Sequence, residues 1–177
     1  MNTNNKPLLN VTNILILLNL IMFMVETKVA DIELLFGLNI LFFKYHFYFQ
    51  PISTMFIHGG IAHILMNMLV LFQFGTIIED TIGKVRYLLL YFIGGIITSF
   101  GTLAYMYYTN SWSNVIGASG AICVLLGWFA LKDKTQRQGI ITWIILISFA
   151  PLLLGLPIAW YSHLIGFALG WLMGYII

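Results

Sequence analysis

Residues 87–107 read YLLLYFIGGIITSFGTLAYMY, a run without one charged side chain, entered past Lys84 and Arg86. A helix needs about 20 mostly apolar residues to cross the ~30 Å hydrocarbon core of a bilayer, and this run has them. Outward from it, charged and turn residues cut five further apolar stretches, approximately Leu8–Val25, Ile52–Phe74, Val115–Leu131, Ile140–Leu156 and Ile158–Ile177. Composition agrees: of 177 residues, 60% are hydrophobic and 8% charged, against roughly 45–50% and ~25% in ordinary soluble domains. Mean hydropathy is +0.95. A soluble fold of this size leaves much of its surface in water and cannot cover it with so few charges. Soluble enzymes and disordered regulators are therefore excluded, and the single Cys123 excludes a disulfide scaffold. Eight Lys and Arg with a net charge of +2 are too few for a nucleic-acid footprint. The expectation is an all-α integral membrane protein, one domain over residues 1–177, built as a six-transmembrane-helix bundle in contact with membrane lipid.

The first stretch follows Lys6, as a cleaved leader would, but Glu26-Thr27-Lys28 offers no small-x-small cleavage site, so it counts as a span. With six spans, the amino terminus, the second and fourth loops and the carboxyl terminus share one side. That side holds Lys6, Lys84, Arg86, Lys132, Lys134 and Arg137, and the other holds Lys28 and Lys44. The bias places both termini in the cytoplasm of a multi-pass protein, with a bacterial cell membrane as the expected location. The second, fourth and sixth spans then all enter from the outer face. The first loop, about Glu26 to Pro51, carries the aromatic run Phe42-Phe43-Lys44-Tyr45-His46-Phe47-Tyr48-Phe49 and should lie in the outer interface, as an aromatic belt or as part of a substrate entrance.

Polar groups are costly inside a bilayer, so those present are the functional candidates. Three spans carry them at similar depth. The second has His58-Gly59-Gly60 followed by His63 and Asn67; the fourth opens with Gly117-Ala118-Ser119-Gly120; the sixth has His163 six residues past Pro157. Gly117 and Gly120 strip bulk from around the Ser119 hydroxyl, and the first turn of a helix favours a developing anion. A serine becomes a nucleophile when a base takes its proton, and histidine is the usual base. His163 shares one helical face with Gly166, Gly170 and Gly174, a row that brings a neighbouring backbone close. Ser119, Cys123 and Gly127 form a matching face on the fourth span. His63 and Asn67, four apart, share a face and can donate toward one point, as an oxyanion hole requires. Each feature also has a plain structural reading: tight packing for the Ser119 cluster, a bond to a backbone carbonyl for His163, interhelical polar contact for His63 and Asn67. Metal binding by His58 and His63 is disfavoured, because five-residue spacing rotates them apart on a helix. Asp occurs only at 31, 80 and 133, all in loops, so no intramembrane aspartate pair exists. Glu79, Asp80, Lys84 and Arg86 read as a solvated loop, with Glu79 in reach of its backbone.

The set His58-Gly-Gly-Ile-Ala-His63-Ile-Leu-Met-Asn67, Gly117-Ala-Ser119-Gly120 and His163-x-x-Gly166-x-x-x-Gly170 resembles the rhomboid family of intramembrane serine proteases, over the second to sixth spans in order. The resemblance implies that Ser119 is the nucleophile and His163 its base, a dyad without a carboxylate. It implies an oxyanion hole of His63, Asn67 and the Ser119 N–H, with His58 near the site and Gly117 and Gly120 lining it. The implied partners are transmembrane protein substrates, hydrolysed in or near their membrane-spanning helix, and no cofactor or metal is implied. Two positions depart from the pattern. Phe49-Gln50 stand where many relatives carry Trp-Arg, which leaves the anchoring of the first loop open. Cys123 stands where relatives often place an aromatic that stacks on the histidine, so His163 should be held more by neighbouring helices. A silent relative that only binds transmembrane helices is the alternative; such proteins usually lose the serine or the histidine. A transporter or channel would call for charges deep in the bundle, and the sequence has none there.

Overall fold

Asn10 caps the first helix of the computed structural model, which describes residues 10–177. Its side chain accepts the Asn13 N–H at 2.7 Å, supplying one of the partners that a helix start lacks. Helix α1 then runs Val11–Glu26. Lys6, counted in the charge bias, and Leu8, where the first apolar stretch was read to begin, lie outside the described residues. Three short helices follow, α2 (Ile32–Phe36), α3 (Leu41–Lys44) and α4 (Gln50–Ser53). Next come α5 (Ile61–Ile82) and α6 (Lys84–Thr109), each with one π-helical segment, Leu71–Gly75 and Leu89–Ile93. Helices α7 (Ser119–Lys132), α8 (Arg137–Leu153) and α9 (Trp160–Met173) complete the described chain. The described residues form no strand, only an isolated antiparallel bridge between Leu38 and Val115. Among them α5 and α6 are the two helices long and apolar enough to cross a membrane, while α1, α7 and α8 are apolar but shorter. The 14 residues of α7 rise about 21 Å at 1.5 Å each.

Helices α5 and α7 start well after their apolar stretches do. The second stretch, read from Ile52, turns through α4 and a 3₁₀ turn and becomes a long helix only at Ile61, because Gly60 takes φ 151°. The fourth, read from Val115, becomes helical at Ser119: Val115 pairs with Leu38 and Gly117 takes φ 117°. The loop read as Glu26 to Pro51 holds α2, α3 and the start of α4 between turns, and it packs on α6 through Phe42, whose ring meets that of Phe100 edge-on at 6.0 Å.

Every residue of α7 from Ala121 to Ala130 is buried. A helix apolar on all sides belongs in the middle of a bundle, and α7 occupies that place. Its closest neighbour is α9. A Cβ on Gly170 would run into the Val124 carbonyl, and one on Gly127 into the Phe167 carbonyl, so the two backbones touch where side chains would otherwise stand. The expected glycine row therefore faces α7.

Glu79 corrects the reading of its segment as a solvated loop. It is buried, and its carboxylate accepts the Val11 N–H, the Thr12 N–H and the Thr12 hydroxyl, each at 2.8 Å. A helix start offers unpaired N–H groups and a positive dipole end, so the carboxylate binds α1 rather than its own loop. The Glu79 end of α5 thereby meets the Val11 end of α1. At that same end of the bundle the Arg137 guanidinium donates to the Ala130 and Leu131 carbonyls, at 2.9 and 3.0 Å, and finishes α7. Beside it, hydrogen bonds from the Thr135 hydroxyl and backbone hold the Asp133 carboxyl below its usual range.

Candidate active site

The start of α7 is held by the first loop and by the 3₁₀ turn Thr54–Phe56 that follows α4. Leu38 and Val115 exchange backbone hydrogen bonds at 2.8 and 2.9 Å, the Thr54 hydroxyl donates to the Val115 carbonyl at 2.6 Å, and the Gly117 N–H donates to the Thr54 carbonyl at 2.9 Å. Amide side chains complete the tie. Asn39 donates to the Asn114 side-chain oxygen at 2.7 Å, and Asn114 donates to the Glu33 carbonyl at 2.9 Å. Gln50 answers how the loop is anchored: fully buried, it accepts the Asn39 N–H at 3.3 Å and donates to the Leu35 carbonyl at 3.2 Å. A neutral amide thus makes this anchor.

Ser119 is the first residue of α7, and its Oγ lies 3.1 Å from His163 Nε2 on α9. The glycine contacts between these helices bring the two side chains within hydrogen-bond reach across 44 residues of sequence. On the other side of the imidazole, Nδ1 lies 3.3 Å from Ser148 Oγ on α8. Cys123 is buried one turn along α7 and packs toward Gly166, where an added Cβ would stand 3.2 Å from its own.

His63 and Asn67 both point at Gly117. A Cβ on that glycine would stand 2.7 Å from His63 Nε2 and 3.5 Å from Asn67 Nδ2, so the two nitrogens flank the turn that leads into Ser119. Asn67 Nδ2 is buried with no protein partner among the described residues. His58 stands behind this turn. It is buried, its ring meets that of His63 edge-on at 5.1 Å, and its Nε2 accepts the Ala118 N–H at 3.5 Å. Gly120 faces Ser162, whose Oγ would be 3.2 Å from an added Cβ.

All seven residues singled out in the sequence gather at one end of the bundle. Ser119, His163, His63 and Asn67 line a cavity of about 780 Å³, together with Gly117 and Gly120; His58 lies just behind its wall. Chemically, the arrangement offers a hydroxyl, an imidazole to take its proton, and side-chain N–H donors beside them. Among the described residues, no three His, Cys, Asp or Glu side chains cluster as a metal would require.

The sequence reading missed two residues. Glu26, at the end of α1, accepts the His58 N–H with both carboxylate oxygens, at 3.1 and 3.0 Å. Its charge next to an apolar stretch was the available signal. Ser148 had only the weak one of a hydroxyl in an apolar helix, where serine commonly bonds its own backbone.

A family model described as the Rhomboid domain matches residues 46–177. RHOMBOID-like protein 4 of Arabidopsis thaliana is 32% identical over 140 residues, covering 71% of this chain and 33% of the plant protein. Rhomboid protease GlpG of Haemophilus influenzae is 29% identical over 134 residues, 71% of this chain and 67% of that protein. Presenilin-associated rhomboid-like protein A, mitochondrial, of Danio rerio is 30% identical over 125 residues, 68% of this chain and 31% of the fish protein. The chain thus spans about a third of the length of the plant and fish relatives and two thirds of the Haemophilus one.

Proposed function

The chain belongs to the rhomboid family of integral membrane proteins, and we propose that it is an intramembrane serine endopeptidase acting on transmembrane protein substrates. The observation that carries this reading is the 3.1 Å contact between Ser119 Oγ and His163 Nε2 on the wall of a cavity shared with His63 and Asn67. As Oγ attacks the carbonyl carbon of the scissile peptide, Nε2 takes the hydroxyl proton. The carbonyl oxygen becomes an anion, and Asn67 Nδ2, His63 and the Ser119 N–H at the helix start receive it. Collapse of the tetrahedral species breaks the C–N bond, and the leaving amine takes the proton from His163. Water, deprotonated by the same imidazole, then attacks the acyl ester and returns Ser119.

The architecture belonging to this reading is a single six-span domain with both termini in the cytoplasm of a bacterial cell. Of the described basic residues, Lys84, Arg86, Lys132, Lys134 and Arg137 belong to one end and Lys28 and Lys44 to the other. The Ser119 end is then the outer one, and cleavage falls in or near the outer part of a substrate helix. The hydrogen-bonded Ser119–His163 pair favours hydrolysis over a silent relative that only binds transmembrane helices.

A fluorophosphonate probe and a model transmembrane substrate test the reading together. Wild type labels and cleaves; Ser119→Ala and His163→Ala do neither, and both keep the fold. Wild-type turnover by Ser119→Ala rejects the mechanism.

A further inference from the structure

A neutral imidazole carries its proton on one nitrogen and accepts on the other, and the partner of the far nitrogen decides which. In a serine protease triad a buried carboxylate fills that place and holds the base in its working tautomer. Neither α8 nor α9 contains an Asp or Glu. What meets His163 Nδ1 is the Ser148 hydroxyl, at 3.3 Å. Ser148 is completely buried, and while its neighbours Ile147 and Pro151 line the cavity, Ser148 does not. It therefore sits behind the imidazole, away from substrate and water.

We infer that Ser148 is a positioning residue for the base, and that the reacting set is a chain of three side chains, Ser119–His163–Ser148, one from each of α7, α9 and α8. The inference rests on the protease reading. With Nε2 facing Ser119, the proton belongs on Nδ1, and the Nδ1–H donates to Ser148 Oγ. The nearby Cys123 thiol is a weak acceptor and offers no substitute. At 3.3 Å the contact is long for a neutral N–H···O bond, which is commonest near ~2.9–3.0 Å. It strengthens when His163 becomes an imidazolium, because charge-assisted bonds are shorter and stronger. Its effect is therefore larger in the transition state than in the resting enzyme, and it falls on kcat rather than on KM. Placing the acceptor on α8 also makes the base depend on the seating of a third helix.

The test uses Ser148→Ala, a nearly isosteric change that leaves the cavity wall intact. Purified wild type and variant are compared in detergent for cleavage of a model transmembrane substrate, and by ¹⁵N NMR of histidine-labelled protein, with His163→Ala to assign the ring signals. Expected are a fall in kcat of about 10- to 100-fold at unchanged KM, smaller than the ~10⁴-fold loss when a triad carboxylate is neutralised, and a loss of the Nδ1–H tautomer preference at His163. Wild-type kcat, or an unchanged His163 tautomer, overturns the inference. If wild type itself shows no Ser119-dependent cleavage, the protease reading fails on its own, and the NMR comparison alone decides the Ser148–His163 bond.

Discussion

Gly117 decides where two donors point. Its φ of 117° is one that side chains with a Cβ rarely adopt, and the space a Cβ would need is filled by His63 Nε2 at 2.7 Å. Gly117→Ala must move the turn, the imidazole or both, although the Ser119–His163 contact lies beyond it. We expect that variant to keep its fold and its accessible hydroxyl but to lose most turnover, which probe labelling and substrate cleavage measured side by side will separate. Asn67 poses the complementary case. Its buried Nδ2 has no protein partner among the described residues, an arrangement that costs stability unless a ligand charge uses it. Asn67→Ala should lower kcat by about 10²–10³-fold, the usual loss for one oxyanion donor. Its unfolding free energy should stay within about 1 kcal/mol of wild type, because the buried amide nitrogen removed has no protein partner among the described residues. Single-turnover cleavage and denaturant unfolding in micelles check the two halves. A large loss of stability would mean that Asn67 holds the fold rather than the anion.

At the scale of elements, the α7–α9 seam sets the distance between Ser119 and His163. Gly170 and Gly139 are both helical glycines, but Gly170 faces the Val124 carbonyl and Gly139 has nothing within 4 Å. Gly170→Ala must force the helices apart, at a cost of about 1–3 kcal/mol, and should reduce turnover by drawing His163 away from Ser119. Gly139→Ala should instead stabilise by roughly 0.5–1 kcal/mol, since a helix gains when glycine is replaced in open space. Unfolding of both variants in the same detergent tests the contrast. This seam was readable beforehand, because a glycine row at four-residue steps on an apolar helix lets a neighbouring backbone come close. The approximate positions of the long helices were readable for a similar reason: charges mark the ends of apolar runs. The starts of α5 and α7 were not. Ile52 to Gly60 and Val115 to Ala118 carry no Asp, Glu, Lys or Arg to set them apart from the helices they precede, and pairing with the first loop and the glycine dihedrals keep them out. Glu79 and Ser148 were illegible for another reason. Their partners lie 67 and 15 residues away, and no local pattern announces a long-range acceptor.

For the whole molecule, the question is which side of the membrane receives the cavity. The contacts fix relative direction. Glu79 on α5 meets the first residues of α1 at one end, and Glu26 at the far end of α1 meets His58 at the other, so α1 and α5 run antiparallel. Ser119 and His163 open α7 and α9 at the His58 end, so these two helices run parallel to α5. Absolute direction comes only from charge, since basic residues gather in cytoplasmic loops. Cys123 is buried and a poor target for thiol reagents, so single cysteines can be introduced beside it. Tyr108 is highly exposed near the end of α6, at the Ser119 end of the bundle, and Lys134 is exposed in the turn between α7 and α8. A membrane-impermeant maleimide should label Tyr108→Cys in intact cells and Lys134→Cys only after permeabilisation. The reverse pattern would turn the cavity toward the cytoplasm, and with it the part of a substrate helix that Ser119 can reach.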